Sequence, residues 1–247
     1  MHVLDNPVWH ALTGPQGVLG RTTELAGRFD EDVGPFGALA TGSDTARAWK
    51  DLGRLIGPKG TASLTGDLPT PPPGWKAISE FDGVQMVGDG GPGVGARGDC
   101  TQPDLETPTT PGSAERAALV LLPLGGDDGP EMLSLAAAAQ PGPFETRTIE
   151  FGGYQGIRIG GHLVAMAGVR LRPPGYAEVS AVATHPDFRR LGLARQLVAA
   201  VVDTIAQAGD IPFLHASASN PAVIRLYESL GFTIRRPMRF VVFQAPG

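Results

Sequence analysis

The feature that most constrains this chain is a single change of period between Ala177 and Ala208. Ala177–Thr184 is rich in β-formers. Leu193–Ala208 instead carries Ala194, Leu197, Val198, Val201, Val202 and Ile205 at i, i+3, i+4, i+7, i+8 and i+11, the apolar face of an amphipathic helix. The turn between them holds Arg189 and Arg190 and ends on Gly192. A strand that passes through such a turn into a helix presents the helix's unpaired first amides, and roughly half a unit of positive charge, to whatever lies beyond the strand. That end suits an anion with several oxygens, a pyrophosphate above all. Gly192 has no Cβ to hold the anion away, and Ala194 is the next smallest choice. Two arginines at the positive end of a helix dipole are disfavoured unless an anion joins them, which strengthens the same reading.

Around this junction the pattern is regular. Ala117–Leu124 is an apolar run of strand length, and Asp127 or Asp128 can cap a helix over Glu131–Ala139 that ends before Pro141-Gly142-Pro143. Tyr154–Ile159, His162–Leu171 and Ala177–Thr184 are separated by Gly160-Gly161 and Pro173-Pro174-Gly175, which predicts an antiparallel meander. Phe213–Ala216 reads as a short strand. Asn220 and Pro221 supply N-cap and N1 to a helix running to Leu230, with Gly231 just past its end, and Val241–Phe243 reads as a last strand. The order β-α-β-β-β-α-β-α-β describes an α/β fold, one mixed sheet with helices on its faces.

At Val182-Ala183-Thr184-His185-Pro186 and Arg189-x-x-Gly192-x-Ala194 the sequence resembles the GNAT superfamily of N-acetyltransferases, whose signature is Arg or Gln, two residues, Gly, one residue, then Gly or Ala. A second box, Asn220 to Leu226-Tyr227 and Gly231-Phe232, matches the same family, and the likeness is greatest to its glycine-acyltransferase-like branch. The resemblance implies a GNAT-type acyl-CoA N-acyltransferase fold over residues 113–247, with acetyl-CoA as donor and direct attack by an amine. It implies a splay between strands 177–184 and 213–216, with the pantetheine arm pairing onto Val182 and Thr184 like an added strand. An amide near Val182 would polarise the thioester carbonyl. The coenzyme would be held by Val182, Ala183, Thr184, Arg189, Arg190, Leu191, Gly192, Leu193, Ala194, Arg195 and Asn220.

Tyr227 matches the position from which family members protonate the coenzyme's sulfur, and Glu178 is a candidate base for the amine, with Ser180 and His215 as competitors. The Glu178-to-Thr184 spacing is a residue shorter than in relatives that use such a base. Simpler roles stand beside these: Tyr227 as a core aromatic, Glu178 as a strand opener, His185 as a turn residue, and His162 and His215 as structural sheet histidines. The acceptor is a small amine or a peptide N-terminus, and the resemblance allows a homodimer. A non-catalytic acyl-CoA-binding module and a longer acyl donor, set by the width near Pro141–Phe144, are the rival readings.

The first 112 residues are less regular. Trp49, Leu52 and Leu55/Ile56 predict a helix over Ala46–Ile56, Thr61–Leu64 and Gly83–Val87 read as strands, and four prolines in Leu68–Gly74 make a connector. Gly88–Gly112 has no period and reads as a linker or an exposed loop with the domain boundary in it, so residues 1–112 are expected to form an N-terminal region that shapes the acceptor side or makes a second, degenerate half of similar build. The glycines of Gly88–Gly98 lack the Lys-Ser/Thr of a phosphate loop. A length of 247 residues with 42% apolar content allows one large core or two modest ones. Charged residues are only 18%, the net charge is −5 and the basic residues are spread, which argues against nucleic acid. The single Cys100 has no partner for a disulfide or a metal set, and no long apolar run or leader pattern is present, so no metal, no membrane and a cytoplasmic setting are expected.

Overall fold

The computed structural model describes residues 2–42, 44–89 and 120–247. The expected linker beyond residue 89, the boundary at 112/113, Cys100 and the start of the strand expected at Ala117 lie outside the described residues.

The strands are β1 (Gly20–Thr22), β2 (Ala26–Phe29), β3 (Gly37–Leu39), β4 (Thr61–Thr65), β5 (Lys76–Gly88), β6 (Leu121–Pro123), β7 (Gln155–Ile159), β8 (His162–Val169), β9 (Tyr176–Thr184), β10 (Ile211–Ser217) and β11 (Phe232–Gln244). The α-helices are α1 (Pro7–Leu12), α2 (Thr45–Ile56), α3 (Gly129–Ala139), α4 (Leu193–Gln207) and α5 (Pro221–Glu228). Eight strands make one mixed sheet in the order β4-β11-β5-β10-β9-β8-β7-β6, while β1, β2 and β3 pair separately. The meander β7-β8-β9 is antiparallel, and β9 and β10 are the parallel pair.

Helix α4 buries Leu197, Val198, Val201, Val202 and Ile205 of the stripe its sequence predicts, with Leu193 buried in place of the half-buried Ala194, against Val164, Ala165, Ala167, Ala177 and Val179 of β8 and β9. Its neighbour α3 covers the other face, where Met132, Leu135 and Ala136 pack with Leu163, Met166, Ala181 and Ala183. In β9, Ala177 and Val179 face α4, yet Ala181 and Ala183 face α3, although all four share one parity. Strict alternation forbids that. The cause is a β-bulge: Ser180 pairs with Gly168 and Ala183 with Met166, so Ala181 and Val182 together oppose Ala167. Ala181 carries it at φ 51°. One extra residue therefore inverts the strand's faces halfway along.

The structure differs from the sequence expectations at several elements. The N-terminal region is joined to the rest of the chain through the main sheet. Its β4 and β5 are spent in the shared sheet, with β5 between β10 and β11 and β4 on the outer edge of β11. Long-range strand pairing of this kind leaves no local trace in the sequence. The last strand is also far longer than Val241–Phe243. It begins at Phe232 and pairs with β5 almost throughout, carrying Pro237 where β4 has not yet joined its other edge, so the missing N–H costs no ladder bond on that side. Likewise β5 extends back to Lys76 rather than starting at Gly83, and α1 and β1 to β3 were not foreseen. The cap of α3 also differs: Asp128 holds the N-cap position, but its carboxylate accepts from the Gly125 amide at 2.8 Å and from Arg158 at 2.6 Å.

Candidate active site

Strands β9 and β10 pair only over Ile211–Tyr176, Pro212–Ala177 and Phe213–Glu178, then diverge. This is the splay the resemblance implied. Beyond Glu178 one edge of β9 has no strand beside it among the described residues. The His185 amide donates to Val164 at 2.8 Å on the β8 side, so the backbone groups of Thr184, out of phase with it, belong to the open edge, as do those of Val182 two residues earlier.

The chain then turns through Pro186–Phe188 and enters α4. Arg190 at φ 65° and Gly192 at φ 76° are both left-handed, and a Cβ built on Gly192 would meet open space. Glycine thus serves here twice, relieving a strained backbone and leaving the approach clear. Among the described residues, none of the main-chain amides from Arg190 to Arg195 has an acceptor, and the first intrahelical bond runs from Gln196 to Gly192 at 3.2 Å. Arg189 and Arg190 are exposed and unpaired with any described acid. Consecutive free donors at a helix N-terminus beside two cations form an anion cradle. Other predicted coenzyme contacts are already engaged through their side chains. Arg195 donates to Ser229 Oγ at 2.7 Å, and Asn220 Oδ1 accepts from the Val223 amide at 3.2 Å as the cap of α5.

A cavity of about 110 Å³ opens where the strands part, and it collects Glu178, Ser180, Ala181, Val182, His215 and Tyr227, so both proposed catalytic side chains and both competitors line one space. The bulge accounts for this placement: Glu178 and Ser180 precede it and face away from α4, and Ala181 follows them onto the same side. Val8, Phe36, Ser63 and Thr65 supply a further wall, so the N-terminal region does shape the site.

Glu178 is 3% exposed. Its Oε1 lies 2.9 Å from His215 Nδ1, while its Oε2 is buried without a partner among the described residues. Burial pushes its carboxyl up, but the hydrogen bond from His215, the Arg170 guanidinium and the Leu171 contact outweigh it, and the carboxyl ends below its usual range. Tyr227, 8% exposed on α5, packs edge-on to Phe232 at 6.0 Å, and burial raises its phenol to about 12. Its hydroxyl makes no hydrogen bond to the described residues. Thr184 Oγ1 is a second buried polar atom with no partner at this edge.

Sequence reasoning missed three groups. Arg170 lines the cavity, its guanidinium 4.9 Å above the Phe36 ring and its Nε unpartnered. Ala181 bears the bulge, which sequence cannot signal. Gln85 is fully buried in an apolar strand and donates to the Leu4 carbonyl at 2.9 Å. A lone glutamine in Gly83-Val84-Gln85-Met86-Val87 was the available hint. His185 is the turn residue it was read to be, with Nδ1 facing the Asp187 amide, and His162 stands exposed at the start of β8.

A parallel-pair splay, a bulged strand and a run of free amides at a helix N-terminus define a mixed α/β fold with an anion-binding turn, and comparison with known proteins says which family shares it. The family described as FR47-like protein matches residues 154–241. A crystal structure of a protein assigned to the GNAT acetyltransferase family, from Novosphingobium aromaticivorans DSM 12444, is 38% identical, with a TM-score of 0.81 and full coverage of both chains. The chain belongs to the GNAT family. Similarity also extends to the [ribosomal protein bS18]-alanine N-acetyltransferase of Salmonella typhimurium, 48% identical over 59 residues, covering 22% of this chain and 40% of that protein. The N-alpha-acetyltransferase RimI of Mycobacterium tuberculosis is 35% identical over 82 residues, 32% of this chain and 51% of that one. The chain thus spans about half or less of the length of these curated relatives.

Proposed function

We propose that this protein transfers an acetyl group from acetyl-CoA to a primary amine by direct attack. The observation that carries the reading is the convergence of Glu178, Tyr227 and the open edge of β9 on one cavity, next to the unpaired amides of residues 190–195.

The residues present fit coenzyme A. The cradle offers donors and two cations to a diphosphate, and the open edge offers peptide-like groups to an amide-bearing arm. Acetyl-CoA, when bound, supplies an activated thioester carbonyl. The Val182 amide is the donor for the oxygen of that carbonyl as charge grows on it. Glu178 Oε2, anionic and unpartnered, receives the amine's proton directly or through water. Tyr227 keeps its proton at any physiological pH, so its phenol acts as a hydrogen-bond donor to the departing sulfur. Arg195 and Asn220 act less directly: both hold α5, and with it Tyr227, through Ser229 and the helix cap.

The acceptor reading favoured by the relatives' activities is a peptide N-terminus. A small amino acid, as the glycine-acyltransferase-like resemblance implies, is favoured instead by the cavity's volume of about 110 Å³ with Glu178 and Arg170 on its wall. Release of free thiol from acetyl-CoA, followed over a panel of N-terminal peptides and amino acids, tests both. Turnover on either set supports acetyl transfer and identifies the acceptor. Binding of coenzyme A with no turnover on any amine, or turnover only with longer acyl donors, would overturn it.

A further inference from the structure

We propose that Gln85 is a positioning residue for the Glu178–His215 pair: it fixes His215 as the Nδ1–H tautomer, so the imidazole can only donate to Glu178, and the pair takes up a proton at the carboxylate alone.

The inference follows from donors and acceptors. Arg235 Nη1 stands 2.7 Å from Gln85 Oε1, and a guanidinium has only donors, so that atom is the amide oxygen. The Leu4 carbonyl, 2.9 Å from Gln85 Nε2, has only lone pairs and demands the same orientation. Two independent partners thus leave no freedom for an amide flip. Gln85 Nε2 also lies 3.0 Å from His215 Nε2. An amide nitrogen cannot accept, so His215 Nε2 must, and it carries no proton. The ring's proton is then on Nδ1, 2.9 Å from Glu178 Oε1, where it donates.

The chain continues outward. Arg235 Nη2 donates to Asp5 Oδ1 at 2.5 Å, Arg236 reaches the same carboxylate at 3.3 Å, and Arg236 also pairs with Asp67 at 2.8 Å. Residues from the N-terminal helical turn, β5, β10, β9 and β11 are therefore linked in one line ending at Glu178. The groups facing the pair from each element are Arg170 beyond β8, Tyr154 before β7, Tyr227 on α5, and the Phe213 and Phe240 rings, which meet the imidazole edge-on at 5.7 and 5.4 Å. None of them offers His215 Nε2 an acceptor, so a second proton there would face the Gln85 N–H.

This matters for proton transfer. When an amine gives up its proton, the N–H bond breaks, its electron pair stays on nitrogen and an O–H bond forms at Glu178. His215 cannot compete for that proton, and its Nδ1–H keeps the carboxylate oriented with Oε2 free. The effect on rate rests on the acetyl-transfer reading; the tautomer does not.

The test is nitrogen-resolved NMR of the His215 ring in the full-length protein at neutral pH, together with steady-state kinetics of Gln85→Glu and Gln85→Met. The wild type is expected to show a protonated Nδ1 and a bare Nε2. Gln85→Glu keeps the size and the Arg235 contact but turns the donor into an acceptor, and His215 should become doubly protonated. Gln85→Met should mix the tautomers. Both variants should lower kcat roughly tenfold with KM for acetyl-CoA little changed. A protonated Nε2 in the wild type overturns the proposal by itself, even if the variants fail to fold. Folded variants with unaltered ring spectra and unaltered kcat also overturn it. Absence of acetyl transfer by the wild type, with the expected ring spectrum, would reject the acetyl-transfer reading and leave the tautomer assignment standing.

Discussion

His215 Nδ1 meets Glu178 Oε1 at 2.9 Å two residues past Phe213, the last residue of β10 to pair with β9 and the one that pairs with Glu178 itself. The side chains thus bridge the strands just as their backbones separate. A polar contact stands where the ladder stops, and the widening gap beyond it becomes the cavity.

The carboxyl of Glu178 sits below its ordinary value in the folded state, burial being outweighed by His215 and Arg170. The native state therefore binds this proton less well than the unfolded chain. Its stabilising contribution is complete above the unfolded glutamate range and is lost as pH falls through the lower folded value. Thermal melts from about pH 7 to about pH 3 should show a wild-type Tm that falls more steeply than that of Glu178→Gln. Parallel curves would contradict the assignment.

Tyr227→Phe removes a hydroxyl that has no partner among the described residues, so the folded state should lose little, within about 0.5 kcal/mol. Catalysis should lose much more. Removal of a positioned proton donor predicts a kcat lower by roughly 10² with KM for acetyl-CoA nearly constant, measured by thiol release.

At Ala181 the left-handed backbone of the bulge is paid for by a residue with a Cβ. Ala181→Gly should relieve that strain and stabilise the fold by about 0.5–1 kcal/mol in chemical denaturation, less whatever its lost methyl contributed against α3. Ala181→Val, β-branched at φ 51°, should destabilise it and lower kcat, since the bulge sets where Val182 points.

Arg189 and Arg190 stand free at the cradle's mouth. Replacing both with Gln should raise KM for acetyl-CoA without altering kcat, and should flatten the dependence of that KM on salt, because exposed charge attraction is screened over about 10 Å at 0.1 M. Kinetics at two ionic strengths check this.

Much of the machinery could be read directly from the chain, because its signals are local. The α4 stripe, the Asn220–Pro221 start of α5, the Arg189-to-Ala194 junction and the meander are each written in spacings of a few residues. What escaped depends on distant partners. Strand β5 lies between β10 and β11 through pairings across more than a hundred residues, and exposed residues such as Ile78 and Phe81 blur its pattern. Glu178 and His215 were each named, yet as competitors for one role; only the sheet shows them as partners. Gln85 and Arg170 depend on side chains meeting from five elements, which no window of sequence contains.

The central claim is that the amides of residues 190–195, freed at the start of α4, hold a diphosphate and so bring an acyl group to Glu178 and Tyr227. Calorimetric titration of the intact protein with coenzyme A tests it most directly. Saturable heat at one site per chain is expected, abolished when Gly192→Glu puts a negative side chain into that cradle. An absence of heat from folded wild-type protein, or equal binding by the folded variant, would contradict it.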